Sequence, residues 1–194
     1  MVGEAGVDAV GLVFYAKSSR YITIEQAVEI CAALPPFVSV TGLFFDASEA
    51  FVNEVLDAVP LDILQFHGSE TAEYCNRFDR PYIKGLGMSG VTADSFRKVA
   101  DQYPLAQGVL VDGHAPGAAG GTGKSFDWTQ VPRDYSKAII LAGGLKVDNV
   151  ASAIRTARVY AVDVSSGVES EPGVKDSAKV AAFMDEVRQA SLAY

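Results

Sequence analysis

Short apolar runs alternate with longer amphipathic stretches along this chain. The runs lie at residues 9–15, 37–45, 63–66, 82–86, 108–111, 138–141 and 159–164. Within them apolar residues follow one another almost without interruption, and several runs are rich in Val and Ile. A strand with one wet face would alternate apolar and polar positions. Strands buried on both faces read as these do, which is the pattern of a parallel sheet. Between the runs the apolar spacing changes to that of a helix. Ile24, Ala27, Val28 and Cys31 fall at i, i+3, i+4 and i+7, behind Thr23 and Gln26 at capping-box spacing. Phe51, Val52, Val55, Leu56 and Val59 mark a second helix with Ser48 as its cap. Phe96, Val99, Ala100 and Tyr103 mark another. Val147, Val150, Ala151 and Ile154 follow, in a helix expected to open at Asp148, and Val180, Phe183, Met184 and Val187 close the chain. The patterns around Ala72, Cys75 and Phe78 and after Trp128 are weaker, and Pro132 interrupts the second of these.

Successive strands start about 20–30 residues apart, the length of one βα unit, and no antiparallel hairpin is signalled. Seven such units fit a doubly wound open sheet or an eight-stranded barrel short of one unit. Gly6 sits where a C-cap glycine would end a helix before the strand at Ala9. Only about one turn of helix fits ahead of it, too little to cover a strand. The expectation is therefore a single α/β domain over residues 1–194, a (β/α)8 TIM barrel lacking its first strand and most of its first helix.

Composition narrows the functional classes. The chain has 194 residues, 49% of them hydrophobic, which suffices for one sizeable core. Its apolar runs are too short to span a bilayer, and its first residues carry neither a basic region nor an apolar signal core. No membrane association is expected, and the location expected is cytoplasmic. A net charge of −8 without a basic stripe argues against nucleic acid as a partner. A phosphorylated small molecule would have to be held against that field by local backbone N–H groups and helix N-termini. Cys31 and Cys75 form neither a disulfide framework nor a metal-ligand spacing, and both read as helix residues packed into the core.

Barrels of this kind bind ligands at the C-terminal ends of their strands, so the chemistry is sought after each run. Arg20, in Lys17-Ser18-Ser19-Arg20-Tyr21, could grip a carboxylate or phosphate bidentately, or be a solvated loop residue. His67 follows the third run, as a donor to substrate or as part of the rim. The fifth run ends in Asp112-Gly113. A carboxylate at a barrel mouth suits general acid or base work if its pKa is raised; the plainer reading is an Asp-Gly turn. Residues 115–124 are small and expected to form a lid, but their spacing departs from that of a P-loop, which excludes nucleotide hydrolysis. The last two runs end in Ala142-Gly143-Gly144-Leu145 and, after Asp163, in Ser165-Ser166-Gly167-Val168-Glu169. Two such turns after consecutive final strands predict a phosphate site at Gly143, Gly144, Ser165, Ser166 and Gly167.

Several stretches in order resemble the phosphoribosylanthranilate isomerases of tryptophan biosynthesis. They are Ser19-Arg20-Tyr21-Ile22, Leu64-Gln65-Phe66-His67-Gly68, Gly120-Gly121-Thr122-Gly123-Lys124-Ser125-Phe126-Asp127-Trp128, Leu141-Ala142-Gly143-Gly144-Leu145, and Val162-Asp163-Val164-Ser165-Ser166-Gly167-Val168-Glu169 with Pro172-Gly173-Val174-Lys175-Asp176 behind it. The resemblance implies an Amadori rearrangement of N-(5-phosphoribosyl)anthranilate to 1-(2-carboxyphenylamino)-1-deoxyribulose 5-phosphate, with no cofactor and no metal. It implies that Asp112 is the acid that protonates the ribose ring oxygen and that Arg20 holds the anthranilate carboxylate. His67 and Asp163 would line the substrate site, and the Gly143-Gly144 and Ser165-Ser166-Gly167 turns would cradle the phosphate. It leaves a monomer or a homodimer open.

The resemblance also implies a general-base cysteine at the end of the family's first strand, in a Lys-Ile-Cys-Gly-like segment without a counterpart here. Losing such a base forfeits about 10²–10⁴ in rate. The chain as written is thus expected to be nearly inactive, and a form extended by roughly 30 residues to isomerise. The alternative is a catalytically impaired or non-catalytic phosphosugar-binding relative. Other phosphosugar barrels fit less well. A synthase of the indole-glycerol-phosphate type would pair Lys84 with glutamates that are not apparent, and an epimerase would need metal ligands on several strands, where this chain has only His67 and His114.

Overall fold

Each of the seven apolar runs forms a strand in the computed structural model, which describes residues 3–115 and 126–192. The strands are β1 (Ala9–Val13), β2 (Ser39–Phe44), β3 (Ile63–Phe66), β4 (Tyr82–Gly87), β5 (Gly108–Asp112), β6 (Ala138–Leu141) and β7 (Ala161–Val162). They pair in chain order and all in parallel, and they curl into an incomplete barrel. Among the described residues β1 has one sheet neighbour, β2, and β7 has one, β6. Gly6 is in the left-handed conformation, φ 79°, behind a short 3-10 turn at Gly3–Ala5, as its reading as a cap glycine requires. Arg188 near the chain's end donates to the Ala5 carbonyl at 2.6 Å and ties the last helix to this first turn.

The helices cover the outer face. They are α1 (Ile24–Ala33), α2 (Glu49–Ala58), α3 (Ala72–Cys75), α4 (Ala93–Ala100), α5 (Val150–Ala157) and α6 (Ser177–Ser191). Thr23 and Gln26 complete the capping box of α1, and Ser48 caps α2. The two weak patterns stay short. α3 is a single turn, and the stretch after Trp128 is a 3-10 turn, Trp128–Gln130, that ends before Pro132. No helix among the described residues is long and apolar enough to cross a membrane.

Two expectations are corrected. The helix expected from Asp148 begins at Val150, because Asn149 spends its side chain on the preceding turn: its Oδ1 accepts from the Lys146 N–H at 2.8 Å and its Nδ2 donates to the Gly144 carbonyl at 2.9 Å. And a small antiparallel hairpin, unsignalled by periodicity, joins β8 (Glu169–Glu171) to β9 (Val174–Lys175) across Pro172-Gly173. Strands of two and three residues are too short to show a period.

The core divides into two clusters. One packs Val52 and Val55 of α2 and Cys75 of α3 against Phe44 and Phe66, with Cys31 at its margin. The other packs Phe96, Val150 and Phe183 against Val109, Val111 and Leu141. Phe66 meets the rings of Phe44, Tyr74, Phe78 and Tyr82, and truncating a phenylalanine so placed costs about 3–5 kcal/mol. Both cysteines are therefore packing residues of outer helices, as their spacing suggested.

Candidate active site

The register of the sheet decides what meets at the strand ends. Phe66 pairs with Lys84, so His67 comes to lie beside Gly85 of β4. A side chain there would collide with it: a Cβ on Gly85 would stand 2.6 Å from the His67 Nδ1. The missing side chain leaves the imidazole its place over the strand. On the next pair of strands Gly87 faces Asp112, the last residue of β5.

The turn that carries His67 is clamped from below. Lys84, only 1% exposed, donates from Nζ to the carbonyls of Phe66 at 3.2 Å and Gly68 at 2.6 Å, and to Glu70 Oε2 at 3.1 Å. Glu70 in turn accepts the Asp46 N–H at 2.8 Å, and Asp46 Oδ1 accepts the Ser69 N–H at 2.6 Å. A buried charge is tolerable only when paired and hydrogen-bonded, and both members of this pair are. The turns after β2 and β3 are thereby locked to each other and to strand β4.

Above the clamp, a chain of hydrogen bonds assigns the protons on both histidines of the protein. The His114 Nδ1 lies 2.8 Å from the Ala115 carbonyl, which can only accept, so this nitrogen carries a proton. In the neutral ring the His114 Nε2 is then an acceptor, and its partner at 3.0 Å, His67 Nε2, is the donor. His67 Nδ1 completes the series by accepting from the Gln65 amide at 3.3 Å. Burial above all, and then the proximity of His114 and Lys84, push the His67 imidazole down to about 3. It is neutral at physiological pH. The buried Asp112 carboxylate stands 4.0 Å from His67 Nε2. A cavity of about 420 Å³ opens beside the pair, lined among others by His67, Lys84, Met88, Phe96 and His114.

The other half of the strand-end face is made of backbone. Gly143 and Gly144 both have positive φ, 82° and 66°, a double left-handed turn that residues with a Cβ adopt only at a cost. The turn after β7 presses on it: a Cβ on Gly167 would lie 1.9 Å from the Leu145 carbonyl oxygen. The two turns predicted to bind phosphate thus touch, and Ser165 and Ser166 lie in the second of them. Asp163, just past β7, donates its N–H to the Leu141 carbonyl at 2.8 Å and is near enough to feel the charge of Asp112. Water reaches it, yet crowding by surrounding protein, together with the charge of Asp112, raises its carboxyl above the ordinary value.

Arg20 is held in place by a partner that sequence reading left without a role. Its Nε and Nη2 donate to the two carboxylate oxygens of Glu169 at 2.7 and 2.8 Å, a bidentate pair. Lys175 from β9 donates to the same Glu169 at 2.9 Å and to the Ser165 carbonyl at 3.0 Å. The small hairpin thus couples Arg20 to the turn at Ser165.

The structure accordingly brings His67 and Asp112 together, and Gly143 and Gly144 together with Ser165, Ser166 and Gly167. It links Arg20 to that second group through Glu169 and Lys175. The predicted lid falls at residues 115–124, nearly all of it outside the described residues. Sequence reading missed His114, Lys84, Glu70 and Glu169 as site residues. A lysine inside an apolar strand and a histidine two residues past Asp112 were the available signals for the first two. Glu169 closes the stretch Val162–Glu169 that carries the resemblance, but nothing there marked it as the partner of Arg20, and Glu70 gave no signal.

Comparison with known proteins identifies the relatives. The family described as N-(5'phosphoribosyl)anthranilate (PRA) isomerase matches residues 1–186. The N-(5'-phosphoribosyl)anthranilate isomerase of Pseudomonas fluorescens (strain Pf0-1) is 55% identical over 185 residues, covering 95% of this chain and 90% of that protein. The crystal structure of phosphoribosyl anthranilate isomerase from Thermotoga maritima superposes with a TM-score of 0.87 at 38% identity, covering 97% of this chain and 91% of that one. A structure of phosphoribosyl anthranilate isomerase in complex with reduced 1-(o-carboxyphenylamino)-1-deoxyribulose 5-phosphate gives a TM-score of 0.83 at 35% identity, with the same coverage.

Proposed function

Because the chain belongs to the N-(5'-phosphoribosyl)anthranilate isomerase family of tryptophan biosynthesis, we propose that its strand-end face carries out that isomerisation with Asp112 as the acid. The substrate is a small phosphorylated molecule with an aromatic carboxylate at its far end. Asp112 protonates the ribose ring oxygen as the ring opens to the Schiff base. No side chain of this chain is assigned as the base, so the C2 proton passes to solvent water, and the resulting enolamine tautomerises to the ketose. His67 is the obvious rival for the acid role, but an imidazole held neutral down to about 3 has no proton of suitable acidity to give. It serves instead as a fixed neighbour that keeps water away from Asp112.

The phosphate rests on the touching turns at Gly143, Gly144, Ser165, Ser166 and Gly167, where backbone N–H groups offset the acidic charge of the whole chain. Arg20, steadied by Glu169, faces the anthranilate carboxylate, and Asp163 lines the space between. Neither Cys31 nor Cys75 serves as the base: burial raises both thiols, Cys75 to about 12, and both belong to outer helices. The working unit is a single domain acting in the cytoplasm as a monomer or homodimer; a Thermotoga maritima relative is described as dimeric, with monomers generated from it.

The observation that carries this reading is a buried carboxylate at the end of β5, on the same strand-end face as two mutually packed glycine-bearing turns. Turnover of N-(5'-phosphoribosyl)anthranilate by the purified chain, with calorimetry of the reduced product analogue, tests it. Turnover slowed by about 10²–10⁴ for want of an assigned base is expected, together with analogue binding that weakens in Arg20→Met. Absence of both would overturn the reading, and binding without turnover would favour a phosphosugar-binding role.

A further inference from the structure

We propose that His67, Asp112 and His114 also form a binding site for a divalent transition metal of the zinc type, and that the occupying ion takes Asp112 out of proton transfer. One donor atom from each of the three residues lies within 4.8 Å of the other two, and all three residues are buried. Four-coordinate zinc, with ligands at about 2.0–2.2 Å, sets its donors about 3.3 Å apart. The separations in the structure, 3.0 Å between the imidazole Nε2 atoms and 4.0 Å from His67 Nε2 to Asp112 Oδ2, bracket that value. Small rotations of the side chains would admit the ion.

The donor set selects the metal class. Two imidazoles and one carboxylate suit zinc and its neighbours, whereas magnesium and calcium require oxygen-rich shells. Three protein ligands leave a fourth position open, for water or a substrate oxygen. The surroundings are those of a ligated histidine: His114 Nδ1–H is already fixed on the Ala115 carbonyl, which points its Nε2 lone pair at the other two residues. The cavity lined by both histidines gives an ion a route inward.

Binding has one specific requirement. His67 carries its proton on Nε2 in the metal-free protein, so that proton must move to Nδ1 before Nε2 can ligate. Gln65 can accommodate the move by turning its amide, so that Oε1 accepts where Nε2 donated. His114 needs no such change. The proton stays on the His67 ring, and the Asp112 carboxylate binds unprotonated. That ion binding stops catalysis rests on the reading of Asp112 as the acid; the binding itself does not.

The chain has two histidines in all, so nitrogen NMR of the uniformly labelled protein during titration with zinc chloride reports on the site directly. Without metal, His67 is expected as the Nε2–H tautomer and His114 as the Nδ1–H tautomer. With zinc, both should ligate through Nε2, His67 switching tautomer and His114 keeping its own. Calorimetry should show His114→Gln weakening zinc binding more than about tenfold, since even outer-shell losses weaken such sites by 10–100-fold. Zinc uptake that leaves both imidazoles unchanged, as capture by Cys31 would, overturns the proposal, as does His67 remaining Nε2–H at saturation. Should His114→Gln fail to fold, the spectra of the unaltered protein decide alone. Turnover of N-(5'-phosphoribosyl)anthranilate should fall as the site fills. Imidazole ligation with undiminished turnover would uphold the metal site and instead overturn the acid role of Asp112.

Discussion

On the β3–β5 side of the strand ends the site is built from side chains: Lys84 and Glu70 beneath, His67, His114 and Asp112 above, each buried and most with a named partner. On the β6–β7 side it is built from main chain, with two left-handed glycines against a turn that has no room for a Cβ. On the reading proposed above, the difference follows from what each half must do. A proton donor needs a tuned environment, which only specific side chains in a dry setting supply. A phosphate needs several N–H groups converging on one point, which only closely packed backbone supplies. Damage to the first half should therefore appear in kcat and in stability, and damage to the second in KM.

The strongest separation should come from Asp112→Asn. It keeps the shape of the side chain and removes the acid, so kcat is expected to fall by about 10²–10⁴ while affinity for the product analogue is retained. Steady-state kinetics with calorimetry checks this, and an equal loss of affinity would mean that Asp112 binds rather than reacts. Lys84→Met comes next. It leaves the Glu70 carboxylate buried without its cation, a change that typically costs about 3–5 kcal/mol, read as a lower urea midpoint. Replacing Glu70 by Leu as well should recover much of the loss, because the orphaned charge goes with it.

Glu169 supplies a pH test of the link between the halves. Burial raises its carboxyl, but hydrogen bonds from Arg20 and Lys175, with the charges of both, outweigh this and hold it at about 2, against 4.5 for an ordinary glutamate. The unfolded chain therefore takes up a proton over an interval where the folded one does not. The pair's contribution is complete above pH 4.5 and is lost as pH falls toward 2. Denaturation midpoints measured across that interval should lose of the order of 2–3 kcal/mol in the native protein, and Glu169→Gln should flatten the slope. The smallest effect is expected from Gly167→Ala. The added methyl must push the two anion turns apart, so KM for the phosphorylated substrate should rise about tenfold, equivalent to about 1.4 kcal/mol, with kcat nearly unchanged. A fall in kcat instead would show that the two halves are less separable than their construction implies.

Much of this frame is legible in the chain. Strands buried on both faces announce themselves as unbroken apolar runs, and a parallel barrel puts whatever follows each run on one face, so Asp112, His67 and the two final turns could be placed together before any coordinates. What stayed hidden depends on distance through space. Glu169 reaches Arg20 across a separation of 149 residues, and no local pattern marks an acidic residue as the partner of that arginine. Lys84 stood out as a charge in an apolar strand, but its partner Glu70 sits in an ordinary polar turn. The inward turn of His114 depends on where the backbone carries it after β5, and on its bond to the Ala115 carbonyl. Asn149 looks like a helix residue until its side chain is seen to be spent on the turn before it.

The contact at Gly167 also governs how this protein can vary over generations. Because the turn after β7 leans on the Leu145 carbonyl and the Lys146 Cα rather than on any side chain, contact with the side chains of residues 145 and 146 is not what sets the two turns against each other. Leu145 is constrained by its own burial in the core, but the exposed side chains of Lys146 and of Ser170, Glu171 and Val174 in the hairpin are open to drift without the cradle changing shape. The tolerance ends at one position. Every substitution at 167 adds the same Cβ at the same point, so the conservative change to alanine meets the same obstruction as a radical one, and lineages that keep the cradle are held to a single residue there.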